Sequence, residues 1–170
     1  MALCLPAFSQ VPLPSVKKLF KTHVFVDFQK VHYDINIDLS KKKVTTSTKI
    51  EFIQEKKGHV IFDLKKRCLS ATLDGKKVKV KTLLIPGPMT LTKRLSKKTL
   101  PGTHTLEIET NLKKGVNFKN DLEIGMWIRD LLGRKFLEQY LPTNFEFDQY
   151  KATMNINFIG ADAQKYEVIV

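Results

Sequence analysis

Residues 32–39 read His-Tyr-Asp-Ile-Asn-Ile-Asp-Leu, and this alternation of polar and apolar side chains decides the fold class. Successive side chains of a β-strand point to opposite faces, so a period of two residues predicts a half-buried strand with Ile35, Ile37 and Leu39 on one face. Residues 44–53 continue the pattern, with Ile50 and Phe52 directed inward. No stretch of the chain gives a convincing amphipathic helix of more than two turns.

The same period recurs along most of the chain. Further strands are predicted at residues 22–28, 59–64, 69–73, 77–81, 89–95, 103–110, 150–159 and 166–170. Asp74 and Gly75 separate two of them as a tight hairpin turn, because glycine readily adopts the positive φ that such turns require. About ten strands with regular turn signals predict an all-β fold, either an antiparallel β-sandwich or a pair of saddle-shaped sheets.

Size and composition restrict the class of protein. A chain of 170 residues and 19.5 kDa is the size of one domain. An apolar content of 42% excludes an intrinsically disordered chain. No apolar run approaches the roughly 18–20 residues of a membrane-spanning helix, so no transmembrane segment is expected.

The net charge of +12 is unevenly distributed. Residues 1–100 contain 21 Lys and Arg against 7 Asp and Glu, whereas residues 101–170 contain 8 against 10. Lysine lacks the planar guanidinium fork that reads bases and phosphates, and only 4 of the 29 basic residues are Arg. Specific nucleic-acid recognition is therefore not expected, and a solvated lysine surface or loose contact with polyanions both remain possible.

The N-terminus and the cysteines bear on the compartment. Cys4 and Cys68 are the only two cysteines, which is too few to infer a disulfide framework. Residues 1–10 resemble the tail of a secretory signal, with Ala7 and Ser9 at the small-residue positions before a cleavage site at Gln10. An ordinary N-terminus is the other interpretation. We assign residues 1–18 to a leader or signal-peptide remnant, residues 19–170 to the domain, and the protein to an extracytoplasmic (periplasmic or secreted) location.

No catalytic motif is visible in this chain. The four histidines are far apart in sequence, and there is no HExxH helix, glycine-rich phosphate loop or nucleophile elbow. The most unusual stretch is residues 125–154, which contains the only Trp and lacks a regular period. A long irregular segment between strands is a frequent place for function, although a packed loop that covers the sandwich edge would have the same pattern.

Several motifs, in the same order along the chain, resemble the N-terminal β-domain of the zinc aminopeptidase family that includes aminopeptidase N and leukotriene hydrolase. Residues 33–39 are similar to its Tyr-Asp-Leu-x-Leu strand, and residues 71–75 to its Val-x-Leu-Asp-Gly hairpin. Residues 125–127 resemble its Gly-Leu-Tyr. Residues 139–144 resemble Thr-Gln-Phe-Glu-Pro-Thr, and residues 145–154 resemble Phe-Asp-Glu-Pro-x-Phe-Lys-Ala.

The resemblance implies a substrate-binding role for two residues. Gln139 matches the family's glutamine beside the α-amino group of the substrate, and Glu138 precedes it. The family's own glutamate falls on Leu141, and adjacent strand side chains face opposite ways, so Glu138 is a poor replacement. The zinc-binding half of the family is absent from this chain, and so is the segment with its Ala-Arg and Phe-Pro-Cys elements.

Two functions therefore stand as hypotheses. In the first, the chain is the non-catalytic N-terminal domain of an aminopeptidase-like zinc metallopeptidase. Its partners are then the catalytic domain, which would hold the zinc, and the N-terminus of a peptide substrate. The alternation at residues 166–170 runs to the last residue, which suggests a fragment of a longer chain. In the second, the chain is a stand-alone secreted β-sandwich that binds polyanions or a protein partner through its lysines.

Overall fold

The computed structural model describes residues 15–18, 21–83, 92–112, 117–119, 123–125, 140–144 and 150–160. These residues form thirteen β-strands. In chain order the strands are β1 (Ser15–Lys18), β2 (Lys21–Val24), β3 (Asp27–Asp38), β4 (Lys43–Gln54), β5 (His59–Asp63), β6 (Cys68–Leu73), β7 (Lys76–Lys77), β8 (Val80–Thr82), β9 (Thr92–Leu95), β10 (Gly102–Asn111), β11 (Asn117–Lys119), β12 (Glu123–Gly125) and β13 (Lys151–Ile159). The described part contains no helix long and apolar enough to cross a membrane.

The strands form two large sheets and one small pair. The six-stranded sheet has the order β13-β3-β4-β10-β6-β7, and the five-stranded sheet has the order β1-β2-β5-β9-β8. Among the described residues, β11 and β12 pair only with each other. The predicted all-β class is confirmed. Most neighbours are antiparallel, but β13 pairs parallel with β3 and β2 pairs parallel with β5, so both large sheets are mixed.

The core lies between the two large sheets. The alternation of residues 32–39 places Tyr33 and Ile35 inward with no exposed surface, and the alternation of β4 does the same for Ile50 and Phe52. From the five-stranded sheet, Phe62 is fully buried in the same apolar cluster. Burial of one such side chain contributes about 1.5–3 kcal/mol, so the period of two residues is the main determinant of the fold.

The Asp74-Gly75 hairpin is present, but its second strand is divided. Both turn residues have positive φ (51° and 73°), and Leu73 pairs with Lys76 across a two-residue loop. The predicted return strand at 77–81 ends at Lys77 in the six-stranded sheet. β8 then pairs with β9 in the other sheet, which makes this hairpin a connection between the two layers.

Several predicted segments fall outside the described residues. The predicted strand at 166–170 lies there entirely, as do the first residues of the predicted strand at 89–95. Of the predicted leader, residues 1–18, only β1 is described, and β1 pairs antiparallel with β2.

Candidate functional site

The segment Tyr140–Asn144 is the described part of the motif at residues 139–144, and it is attached to the five-stranded sheet through its backbone. The amide of Asp63 donates to the carbonyl oxygen of Thr143 at 3.0 Å, and the amide of Thr143 donates back to Asp63 at 3.0 Å. This reciprocal pair is an antiparallel bridge at the end of β5. The bridge extends the sheet by one residue and fixes the segment without a regular strand.

A side chain of β3 and the backbone of the residue before β3 attach the same segment to the six-stranded sheet. The Tyr33 hydroxyl donates to the carbonyl oxygen of Pro142 at 2.9 Å, and the Asn144 amide donates to the carbonyl oxygen of Val26 at 2.7 Å. Burial, with smaller contributions from the charge and hydroxyl of Tyr150, raises the pKa of Tyr33 far above its usual value. Tyr33 therefore stays protonated and acts as a permanent donor. The segment thus bridges the two sheets.

Tyr140 has an aromatic contact with a cation at the surface. The ammonium of Lys66 lies 5.8 Å from the centroid of the Tyr140 ring, within the range of a cation–π interaction. Burial, followed by the nearby charge of Lys65, lowers the pKa of Lys66. The contact covers one face of the ring, and only 7% of the Tyr140 surface is exposed.

Leu141 belongs to the core. Leu141 has no exposed surface and is part of the apolar cluster between the sheets. A side chain at residue 141 faces apolar neighbours and has no access to solvent. This local environment suits leucine and would not suit a carboxylate.

Gln139 and Glu138, the two predicted substrate-binding residues, lie outside the described residues. Their role stays a prediction. The next described residue is Tyr140, which is buried at the start of the segment Tyr140–Asn144.

The four histidines lie at three separate places in the fold. His23 and His59 are buried neighbours on β2 and β5, with ring centroids 5.9 Å apart. Burial is the largest cause of the lowered pKa of His59, whose Nδ1 lies 2.9 Å from the carbonyl oxygen of Leu95. His104 contacts Asp74 at the hairpin turn. Within the described ranges, no group of three or more His, Cys, Asp or Glu side chains could hold a metal ion.

A polar ladder joins β3 to β13 on the outer face of the six-stranded sheet. His32 Nδ1 lies 2.6 Å from Thr153 Oγ1, and the Asn155 amide donates to Asp34 at 3.1 Å. These side chains satisfy one another across the parallel pair, so we assign them a structural role in holding β13 in register.

Sequence reasoning missed Tyr33 as the anchor of the candidate site. Its position in an alternating strand predicted burial, but a buried tyrosine hydroxyl also needs a hydrogen-bond partner. That requirement was a usable signal, although the partner, Pro142, is 109 residues away in sequence.

No protein-family model and no curated protein sequence matches the chain. Among solved structures, it is similar to leukotriene A4 hydrolase from Saccharomyces cerevisiae, with 12% identity and a TM-score of 0.43 over 51% of this chain and 15% of that one. It is also similar to the M1 zinc metallopeptidase from Deinococcus radiodurans, with 13% identity and a TM-score of 0.40 over 51% of this chain and 20% of that one. At these values the likeness concerns the fold alone, and the matched part is a small share of each enzyme.

Proposed function

We propose that the chain is the non-catalytic N-terminal domain of an aminopeptidase-like zinc metallopeptidase. In this proposal it packs on a catalytic domain that carries the zinc, and it helps to bind the N-terminus of a peptide. The order of motifs from residue 33 to residue 154 supports the assignment. The observation that carries it is an uncovered apolar stripe on β13.

The stripe consists of Met154, Ile156 and Phe158, which are 42%, 44% and 39% exposed. In register they lie beside Tyr33, Ile35 and Ile37 of β3, which are buried. Paired residues on neighbouring strands share a face of the sheet, so the stripe continues the core-facing surface beyond the point where the described residues cover it. Apolar surface of this kind on a sheet edge is typical of an interface.

The proposal assigns this surface to the catalytic domain. Ile156→Lys tests it, with Asn157→Lys on the opposite face of the same strand as the matched control. We expect Ile156→Lys to change the free energy of unfolding of the 170-residue chain by less than about 0.5 kcal/mol, as an exposed position should. In the full-length protein, we expect the same change to lower the thermal midpoint while Asn157→Lys does not.

A loss of about 2 kcal/mol or more in the 170-residue chain would contradict the proposal, because the stripe would then be covered within the chain itself. Equal changes in thermal midpoint for Ile156→Lys and Asn157→Lys in the full-length protein would also contradict the proposal.

The substrate-binding part of the proposal rests on Gln139. A preorganised amide would bind a peptide α-ammonium by a charge-assisted hydrogen bond. Gln139→Ala in the full-length enzyme should raise KM for peptides about tenfold, and Glu138→Ala should have a smaller effect, since its side chain is expected on the opposite face. Unchanged peptide kinetics for Gln139→Ala would remove this role.

A second candidate function is supported by the lysines of β7, of β8 and of the link between them. Lys77, Lys79 and Lys81 are all exposed, at the edges of the two sheets. A stand-alone domain that binds polyanions through them would be retained on heparin at near-physiological salt and released as salt rises. Elution from heparin below near-physiological salt would exclude this polyanion-binding function.

A further inference from the structure

A cleft of about 420 Å³ opens where the β5–β6 connection meets β8 and β9. Its lining is formed by Lys65, Arg67, Cys68, Val80, Thr82 and Lys93. Three of these six side chains are cations and none is an acid. The volume falls in the range of small-molecule sites, roughly 300–1,000 Å³.

Lys93 is the unusual member, because it occupies a core-facing position. In register it lies between Phe62 of β5 and Thr82 of β8, so its side chain shares a face with the fully buried Phe62. Only 7% of Lys93 is exposed. Its ammonium donates to Thr82 Oγ1 at 3.1 Å, which uses one of its three donors. A lysine is rarely so buried unless it is paired.

The nearby acids are engaged elsewhere. Among the described residues, no carboxylate forms an ion pair with any of the three cations of the cleft. In register, Asp63 pairs with Thr92, which directly precedes Lys93 in β9. The side chains of Asp63 and Thr92 therefore lie on the face opposite that of Lys93, and Asp63 accepts a hydrogen bond from the Thr92 hydroxyl at 2.8 Å. Glu109 accepts from Ser70 at 2.6 Å and is not part of the lining.

The thiol of Cys68 does not supply the missing negative charge. Burial, followed by the charge of Glu109, raises the pKa of Cys68, and the opposing effect of Lys93 is smaller. The thiol therefore stays neutral near pH 7, and no thiolate–ammonium pair forms. Burial also lowers the pKa of Lys93, which is the expected cost of an ammonium without a counter-ion.

We propose that this cleft binds a phosphate dianion, either free or as the terminal group of a phosphomonoester. Lys93 and Thr82 form the inner wall, with two ammonium donors left for the ligand, and Arg67 supplies a planar fork at the mouth that suits a tetrahedral oxyanion. Lys65 adds a third positive charge. This site is independent of the proposed packing on a catalytic domain and of the role of Gln139.

The test is a titration of the 15N-labelled 170-residue chain with inorganic phosphate at pH 7.5, at constant ionic strength set with sodium chloride. We expect saturable amide shifts at residues 65–68, 82 and 93 with a millimolar Kd. Lys93→Gln should weaken binding at least tenfold, and Arg67→Gln by a similar factor, because each removes a charge-assisted hydrogen bond. The matched control is Lys49→Gln, which removes an exposed charge from the outer face of β4 in the six-stranded sheet and should leave Kd unchanged.

Three results would overturn the proposal. The first is the absence of saturable shifts up to 50 mM phosphate, on the order of ten times the expected Kd. The second is an equal loss of binding in Lys49→Gln and Arg67→Gln, which would indicate diffuse attraction. The third is the same set of shifts with chloride alone.

Because Arg67 is exposed, Arg67→Gln keeps the test valid if Lys93→Gln fails to fold. Tighter binding of O-phosphoserine than of inorganic phosphate would identify a phosphomonoester, and equal or weaker binding would identify the free ion.

Discussion

Replacing Leu141 by glutamate places a carboxyl group in the apolar core between the two sheets. Leu141 has no exposed surface, so truncation to alanine should cost about 3 kcal/mol from lost burial and the cavity that remains. Glutamate adds the cost of placing a carboxylate among apolar neighbours. We therefore expect Leu141→Glu to lower the free energy of unfolding by about 3–5 kcal/mol at pH 7.5.

Urea unfolding followed by circular dichroism measures this cost. With a slope of about 2 kcal/mol per molar urea, the midpoint should fall by about 1.5–2.5 M. The matched control is Leu100→Glu at a side chain that is 60% exposed, where the change should stay within about 0.5 kcal/mol.

The pH dependence provides an independent check on the same variant. Burial raises the pKa of a carboxyl, so the protonated form is tolerated and the charged form is not. The stability lost in Leu141→Glu should be smallest near the ordinary glutamate pKa of about 4.3, where only the cost of lost leucine packing remains, and should grow as pH rises toward the folded-state pKa. A midpoint equal to that of Leu100→Glu at all pH values would refute the burial of residue 141, and with it the structural account of the anchored segment.

Three further predictions concern the six-stranded sheet. The Thr48 hydroxyl is buried with no hydrogen-bond partner among the described residues, so Thr48→Val should raise the free energy of unfolding by about 1 kcal/mol. Thr46→Val should lower the free energy of unfolding by about 1–2 kcal/mol, because the buried hydroxyl of Thr110 would lose its partner, the Thr46 hydroxyl 2.6 Å away. Equal losses of stability in Thr48→Val and Thr46→Val would contradict this account. Burial works to lower the pKa of His104, but the hydrogen bonds of His104 and the charge of Asp74 together outweigh burial and raise this pKa. The stability that His104 contributes is therefore present below pH 6.5 and is lost as pH rises through the higher folded-state pKa. The difference in free energy of unfolding between wild type and His104→Gln should therefore shrink with rising pH, and a constant difference from pH 5.5 to 9 would contradict the assignment.

Local patterns predicted the parts of the fold that depend on local chemistry. The alternation of residues 32–39 became β3, and Asp74-Gly75 became the tight turn, because side-chain period and backbone φ are properties of neighbouring residues. The division of the strand at 77–81 was not predicted. Alternation places side chains on faces, but it does not specify which sheet provides the hydrogen-bond partner.

The candidate site was less predictable, for a related reason. Residues 140–144 lie in the irregular stretch 125–154, whose pattern did not distinguish a functional segment from a packed loop. Hydrogen bonds with residues more than 100 positions away bury the segment. Lys93 carried a usable signal, since it lies two residues before Leu95 in a predicted strand and so shares its inward face. Nothing in the sequence, however, indicated that the neighbouring strands would leave a cleft there.

The central claim, that this domain belongs to a larger metallopeptidase, is tested most directly by the native length of the protein. An antibody raised against the domain should detect, in extracts of the source cells, a band several times larger than 19.5 kDa. That band should carry zinc when it is purified. A single band near 19.5 kDa without zinc would contradict the claim and would show that the β-domain acts alone.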